Sequence, residues 1–109
     1  MTEESRKILI DSLTRLSAKA EKSGITSNWY LMALQKLQDN SELSANLRRK
    51  LRTLALVHVS ALSKAIIPAY KQRINDSELV VDKERYETYL KSAEDSTQAW
   101  RKAAKELAR

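Results

Sequence analysis

Only one glycine and one proline, Gly24 and Pro68, occur among the 109 residues of this chain. These two residue types form most tight turns, so a sheet protein with several hairpins is nearly excluded. The helix formers Leu, Ala, Lys, Arg, Glu and Gln supply most of the sequence. The sequence therefore predicts an all-α protein, and its length suits a single helical domain spanning residues 1–109.

Apolar residues at helical spacing predict the first two helices. The first should run from about Glu3 to Lys22, and the second should end near Gln38. Gly24 lies where a left-handed residue commonly follows the end of a helix. Thr26 or Ser27 would then provide the N-cap of the second helix.

The third predicted helix is unusual because it begins near Glu42 and extends toward Ile74. One seam at spacings of four and three contains Leu43, Leu47, Leu51, Leu54, His58, Ala61 and Ala65. Between Leu54 and Ile67, further apolar residues extend this surface almost all the way round. Such a segment must be buried on every side, either inside the domain or against another subunit. Pro68 predicts a kink or break at Ile67.

The last third of the chain predicts a turn, a connector and a fourth helix. The turn lies at residues 75–77, and the apolar connector at residues 79–81 is too short to form a sheet of its own. Asp82 is a candidate N-cap for a helix from about Lys83 to the C-terminus. The expected architecture is a bundle of about four helices.

The positive charge is concentrated on the third helix. The chain has 20 Lys and Arg against 14 Asp and Glu, a net charge of +6. No acidic residue occurs between Glu42 and Asp76. The seven basic residues of that interval are Arg48, Arg49, Lys50, Arg52, Lys64, Lys71 and Arg73. The third helix therefore carries the whole excess of positive charge.

Three closely spaced arginines form the candidate binding site. Arg48, Arg49 and Arg52 are expected to lie opposite the leucine seam and to project together into solvent. Lys36, on the preceding helix, could extend this surface, and the other basic residues of the third helix would add to it. A guanidinium group donates two parallel hydrogen bonds to a phosphate, so a nucleic-acid backbone is the favoured partner.

Two alternatives explain the same charge. The arginines could dock on an acidic protein surface. They could also serve only solubility, or pair across the bundle with carboxylates such as those of Glu84, Glu87 and Glu94.

The aromatic residues give weaker evidence. Tyr30, Tyr86 and Trp100 lie on the predicted core stripes, and a chain without phenylalanine must use such residues as its large core side chains. Trp29 and Tyr89 are expected on the surface. Tyr86 and Tyr89 lie among Lys83, Arg85 and Lys91, and such mixing of aromatic and basic residues is typical of single-strand binding.

The sequence argues against catalysis. His58 is the only histidine and cysteine is absent, so a two-histidine or thiolate metal site is excluded. A serine–histidine pair would need Ser60 or Ser63 on the same apolar helix, without the exposed turn that such nucleophiles use. His58 is expected to be a hydrogen-bonded core residue. We expect no enzyme, no cofactor and no small-molecule substrate.

The N-terminal residues lack the order of basic, apolar and small residues that a secretory signal requires. The longest apolar stretch, residues 54–70, contains His58, Lys64 and Pro68, and falls short of the ~20 apolar residues of a membrane span. These features predict a cytoplasmic protein with no membrane helix.

The leading hypothesis is a non-catalytic helical subunit that binds nucleic-acid backbone, DNA or RNA, and packs against other protein subunits or itself. In its profile (short, basic, helical, without cysteine or catalytic residues) the chain is similar to the small subunits of CRISPR effector complexes, which line a nucleic-acid channel. The runner-up is a protein-binding module, such as an inhibitor, immunity protein or assembly chaperone, that docks on an acidic surface. A helix-turn-helix DNA reader with its turn at residues 39–41 is the third option.

Overall fold

The structure, a computed structural model, describes residues 1–24 and 28–108. That part of the chain contains no strand and four helices: α1 (Glu3–Lys22), α2 (Asn28–Gln38), α3 (Ala45–Asp76) and α4 (Val80–Leu107). Helix α3 is α-helical over Ala45–Ala61 and Ile67–Asp76, and a π-helical turn, Leu62–Ile66, joins the two segments. The predicted all-α bundle with a long, basic third helix is confirmed.

Helix α1 has the predicted bounds, and local interactions at its two ends account for them. The Thr2 hydroxyl accepts a hydrogen bond from the Ser5 backbone N–H at 3.3 Å, which satisfies a donor of the first turn. Gly24 has a φ of +71°, the left-handed conformation expected after a helix end. The predicted capping residues of α2, Thr26 and Ser27, lie outside the described residues.

The first turns of the two long helices differ from the prediction. Helix α3 begins at Ala45 rather than near Glu42, because the Ser44 side chain accepts from the Leu47 N–H at 3.2 Å and so caps the helix there.

Helix α4 begins three residues before the predicted start. Val80 and Val81 are helical rather than part of a connector, and the N-cap position belongs to Leu79, which makes no side-chain capping bond. Asp82 lies inside the first turn, where its charge favours the helix N-terminus and where it pairs with Arg85. The assignment of Asp82 as the N-cap was therefore wrong.

The hydrophobic core lies at one end of the molecule. It consists of Leu9, Leu13, Ala33, Leu37, Leu47, Leu51, Ala55, Trp100, Ala103, Ala104 and Leu107. These residues come from α1, α2, the first half of α3 and the last half of α4. Trp100 is buried as predicted, whereas Tyr30 is half-buried at the edge of this core.

The other halves of α3 and α4 form an antiparallel hairpin, residues 62–92, which we call the arm. The structure describes every residue of the arm, and none of them is buried. The 32 residues of α3 give a helix about 48 Å long, which matches the 50 Å long axis of the molecule. The radius of gyration is 16.3 Å, against about 13 Å for a compact domain of this length, because the arm projects from the core.

The π-helical turn lies immediately before Pro68. The Ile67 N–H donates to the Leu62 carbonyl oxygen, five residues back. In a regular α-helix the proline ring would clash with the carbonyl of Lys64, and the wider turn changes the position of that carbonyl. Of the kink or break predicted at Ile67, the break does not occur, since the helix continues to Asp76; the structure has instead the π-helical turn, Leu62–Ile66, which ends immediately before Ile67.

The π turn also moves the apolar seam of α3. Beyond His58, the half-buried positions run through Leu62, Ile67 and Tyr70, with a step of five at the wide turn. Ala61 and Ala65, which a uniform periodicity places on the seam, are exposed. The arm therefore turns a different face of α3 toward α4 than the sequence pattern predicted.

Part of the apolar surface of α3 faces solvent. Leu56, Val57 and Ile66 are all exposed, so the all-round apolar segment is not central to the bundle. By length and composition, Ala45–Asp76 could cross a membrane: an 18-residue window has a mean hydropathy of 1.3, and 6% of it is buried. A single helix of this kind is weak evidence for a membrane span.

Candidate nucleic-acid interface

The structure divides the eight predicted binding residues into two groups. One group lies near the start of α3 and contains Lys36, Arg48, Arg49, Lys50 and Arg52. The other lies on the arm and contains Lys64, Lys71 and Arg73. At 1.5 Å per residue, Lys64 lies about 18 Å and Arg73 about 31 Å along the helix from Arg52. The eight residues therefore do not form one compact patch.

Arg49 and Arg52 form the centre of the first group. Both side chains are exposed and lie about one helical turn apart. Across residues 1–24 and 28–108, no carboxylate forms an ion pair with either guanidinium. The carboxylates suggested as partners across the bundle, those of Glu84, Glu87 and Glu94, make no such contact. The positive charge of this pair is available to an external ligand.

Arg48 does not share their environment. Its side chain is half-buried, and Nη2 donates to the backbone carbonyl oxygen of Glu106 at 3.0 Å. At 100° per residue, Arg48 is only about 60° around the helix from the buried Leu51, which places it at the edge of the core face. The expectation that it projects into solvent beside Arg49 and Arg52 was wrong. It binds instead the carbonyl end of α4, which carries partial negative charge.

Lys50 lies beside Trp29, which is in the first turn of α2. The Lys50 ammonium is 5.6 Å from the centre of the indole ring, a cation–π distance. Trp29 is half-buried rather than on the open surface, and its ring packs edge-on against Tyr30 at 4.5 Å. Lys50 therefore borders the candidate interface and also contacts an aromatic ring of α2.

Lys36 lies at the end of α2 and is exposed. A concavity of about 290 Å³ places it on the same rim as Arg48 and Arg6. Arg6 could not be found from the sequence, because it is 30 positions from Lys36 and has Glu3 three residues before it. Arg6 pairs with Glu3 at 2.6 Å and donates to the Leu37 carbonyl at 3.3 Å, so its charge is partly neutralised.

On the arm, Arg73 is part of an aromatic cluster. Its Nη1 donates to the Tyr86 hydroxyl at 3.2 Å, and the Arg73 and Arg85 guanidinium groups lie 5.6 and 5.8 Å from the same tyrosine ring. Tyr86, predicted as a core residue, is half-buried here, with Tyr70 and the exposed Tyr89 within 5.8–6.4 Å of it and of each other. Arg73 thus stabilises the hairpin.

His58 is hydrogen-bonded and half-buried. Its Nε2 is 3.0 Å from the Ser12 hydroxyl, and its ring stacks on Trp100 at 4.2 Å with an interplanar angle of 4°. Burial lowers the pKa of His58, and the nearby Arg15 lowers it further. The serine that contacts it is on α1, not Ser60 or Ser63 of its own helix. In the described chain, no group of three or more His, Cys, Asp or Glu side chains suits a metal.

Comparison with known proteins identifies no relative of this chain. No family model matches the chain, and neither a curated protein nor a solved structure is significantly similar to it. A functional assignment therefore depends on the geometry of the exposed arginine pair and on the surfaces beside it.

Proposed function

We propose that this protein is a non-catalytic subunit that binds the sugar–phosphate backbone of a nucleic acid through Arg49 and Arg52. The observation that carries this proposal is their exposure without a carboxylate partner among the described residues. They lie in a stretch, residues 43–75, that contains no acidic residue. Guanidinium pairs of this kind bind phosphates with two parallel hydrogen bonds each.

Backbone contact is favoured over base reading. Residues 39–44 connect α2 to α3, whereas a helix-turn-helix uses a turn of about three or four residues. The bond from Arg48 to Glu106 ties the start of α3 to the end of α4, so this end of α3 is not a free recognition helix. Lys36 and Lys50 would add phosphate contacts beside the pair, and binding would be largely independent of base sequence.

One observation favours a protein partner as the second candidate. Leu56 and Val57 are exposed one turn beyond Arg52, and Leu31 and Met32 are exposed on α2. Arginine beside exposed apolar side chains is typical of protein interfaces. The two candidates are compatible in a larger assembly, where one surface binds nucleic acid and another a neighbouring subunit.

The test is binding of fluorescently labelled single- and double-stranded oligonucleotides by the wild type and by Arg49→Glu/Arg52→Glu. If three to four single-strand phosphates are neutralised, the slope of log affinity against log salt should be about −2 to −3. Removing two contacts should lower the magnitude of that slope by about 1.4. Because Arg and Glu have similar helix propensity, the circular dichroism spectrum should not change.

The matched control is Arg101→Glu/Lys105→Glu, which reverses two exposed charges on α4. It changes the net charge equally and should retain most of the binding. An equal loss in both variants would mean that only total charge matters. Undiminished binding by Arg49→Glu/Arg52→Glu, or a salt-insensitive interaction, would transfer support to the protein-binding candidate.

A further inference from the structure

The arm lacks the buried core that would stabilise it in isolation. Its seam consists of the half-buried residues Leu62, Ile67, Tyr70, Ile74, Tyr86 and Leu90. Two helices side by side leave such a seam open on both flanks, and most helix stability in proteins comes from packing an apolar face. The arm also exposes Ile66 and, at its tip, Leu79, Val80 and Val81, of which Val81 is 74% exposed. A partner that covered this surface would bury apolar area that the single chain exposes.

Beyond the core, the parts of α3 and α4 that run side by side carry opposite net charge. From residue 62 to 76, α3 has three basic residues, Lys64, Lys71 and Arg73, and one acidic residue, Asp76, a net charge of +2. From residue 80 to 95, α4 has five acidic residues and three basic ones, a net charge of −2, and the last two acidic residues, Glu94 and Asp95, lie just past the arm. A surface with one positive and one negative helix is complementary to a copy of itself.

Contacts between the tyrosines and Arg73 define the register of this hairpin. Tyr70 lies beside Tyr89, with ring centres 5.8 Å apart, and Arg73 contacts Tyr86. Along two antiparallel helices the residue number rises in one and falls in the other, so residues at the same height have a nearly constant sum of residue numbers. For both of these pairs the sum is 159. Lys71 is therefore level with Glu87, and by the same rule Lys64 is level with Glu94.

These four charged side chains are available to a partner. Lys64, Lys71, Glu87 and Glu94 are all exposed, and within the described chain none of them forms an ion pair. A two-fold axis parallel to the hairpin would place α3 of one copy against α4 of the other at the same height. Each lysine would then meet the matching glutamate of the second copy, on both sides of the axis.

We propose that two copies of this chain associate through their arms, which together form an antiparallel four-helix bundle. The association gives the half-buried seams a second layer and covers apolar surface that the monomer exposes. It uses residues about 18 Å or more along α3 from Arg52, so it goes beyond the proposed nucleic-acid binding and leaves Arg49 and Arg52 accessible. The second copy, rather than a lipid surface, is the occupant because the arm's charges complement themselves.

A charge-exchange experiment tests this proposal. One variant, Lys64→Glu/Lys71→Glu, makes the α3 side of the arm acidic, and the other, Glu87→Lys/Glu94→Lys, makes the α4 side basic. Each alone places like charges opposite each other in its own dimer. Sedimentation velocity from 1 to 100 µM, concentrations chosen on the order of common dimer affinities, should show a wild-type dimer and at least about tenfold weaker association of each variant. An equimolar mixture should recover the dimer, because opposite charges then face each other again.

The control is Arg49→Glu/Arg52→Glu, which should dimerise like the wild type even if it no longer binds nucleic acid. This variant makes failure of the two proposals distinguishable. Circular dichroism verifies that each variant is folded, and recovery in the mixture excludes misfolding of either one. A wild type that stays monomeric, variants that dimerise normally, or a mixture without recovery would overturn the proposal. A monomeric wild type that sediments with anionic phospholipid vesicles would overturn it in favour of a lipid surface.

Discussion

Replacing Arg48 with alanine should destabilise the protein, whereas replacing its neighbour Arg49 should not. The Arg48 guanidinium donates to the Glu106 carbonyl oxygen at 3.0 Å and lies at the C-terminal end of α4. A hydrogen bond from a charged donor contributes about 1.5–3 kcal/mol, and partial exposure of this side chain reduces that contribution. We expect Arg48→Ala to lower the free energy of unfolding by about 1–2 kcal/mol, and Arg49→Ala to change it by about 0.5 kcal/mol or less.

Urea denaturation followed by circular dichroism measures the difference between the two variants. Thermal unfolding gives a second measure, because each 1 kcal/mol corresponds to about 4–8 °C in a domain of roughly this size. The two variants should rank the other way in oligonucleotide binding. Arg49→Ala should bind more weakly than the wild type, and Arg48→Ala should bind about as tightly as the wild type. Equal stability of the two variants would refute the assignment of Arg48 as a structural residue. Equal losses of binding would refute the separation of their roles.

Two further predictions concern the core. Because burial and Arg15 lower the pKa of His58, the folded protein binds this proton less readily than the unfolded chain. The contribution of neutral His58 to stability is therefore complete above about pH 6.5 and is lost as the pH falls through the lower pKa of the folded protein. Urea denaturation between about pH 7.5 and 5 should show that the stability of His58→Gln depends less on pH than the stability of the wild type. Leu51→Ala, at a fully buried position, should cost about 2–5 kcal/mol, while Leu56→Ala, at an exposed one, should cost much less in the same assay. Similar losses for the two leucines would contradict the placement of the core on that face of α3.

The bounds of α1 and the end of α2 could be predicted because local signals determine them. A regular apolar stripe, lysines in the last turn and Gly24 after it all agree in α1. The start of α4 could not be predicted in the same way. Val80 and Val81 have strong β propensity, and Asp82 is a good N-cap, yet the helix begins at Val80, with the Lys83 N–H bonded to the Leu79 carbonyl oxygen at 3.1 Å.

The long third helix misled the periodicity analysis for a physical reason. Its core stripe and its arm stripe lie on different faces, and the π turn rotates one relative to the other. Superposed on one uniform helix, the two stripes and the exposed Leu56, Val57 and Ile66 together resemble a continuous apolar surface. The hydrogen bond from the Ile67 N–H to the Leu62 carbonyl oxygen, five residues back, lies immediately before Pro68, and a spacing rule for a regular helix of 3.6 residues per turn does not contain it.

The positive charge of the candidate site could be predicted from the sequence. The separation of its basic residues into two groups, and the different environment of Arg48, could not. An interval without acidic residues predicts a basic surface, because the net charge of a segment follows from its residue types alone. Whether a particular arginine faces solvent depends on which helix end lies beside it. The carbonyl of Glu106 is 58 positions from Arg48, so that contact becomes visible only in three dimensions.

The arm can serve as a molecular ruler. Since the buried residues of α3 and α4 all lie outside it, its length is independent of the core. Seven residues inserted into α3 after Pro68 and seven into α4 before Ala93 would add about two turns to each helix and nearly restore both faces. The tip would move outward by about 10 Å. Small, paired insertions can therefore change the distance between the tip of the arm and the pair Arg49 and Arg52. They leave the residues of the core and of the tip unchanged.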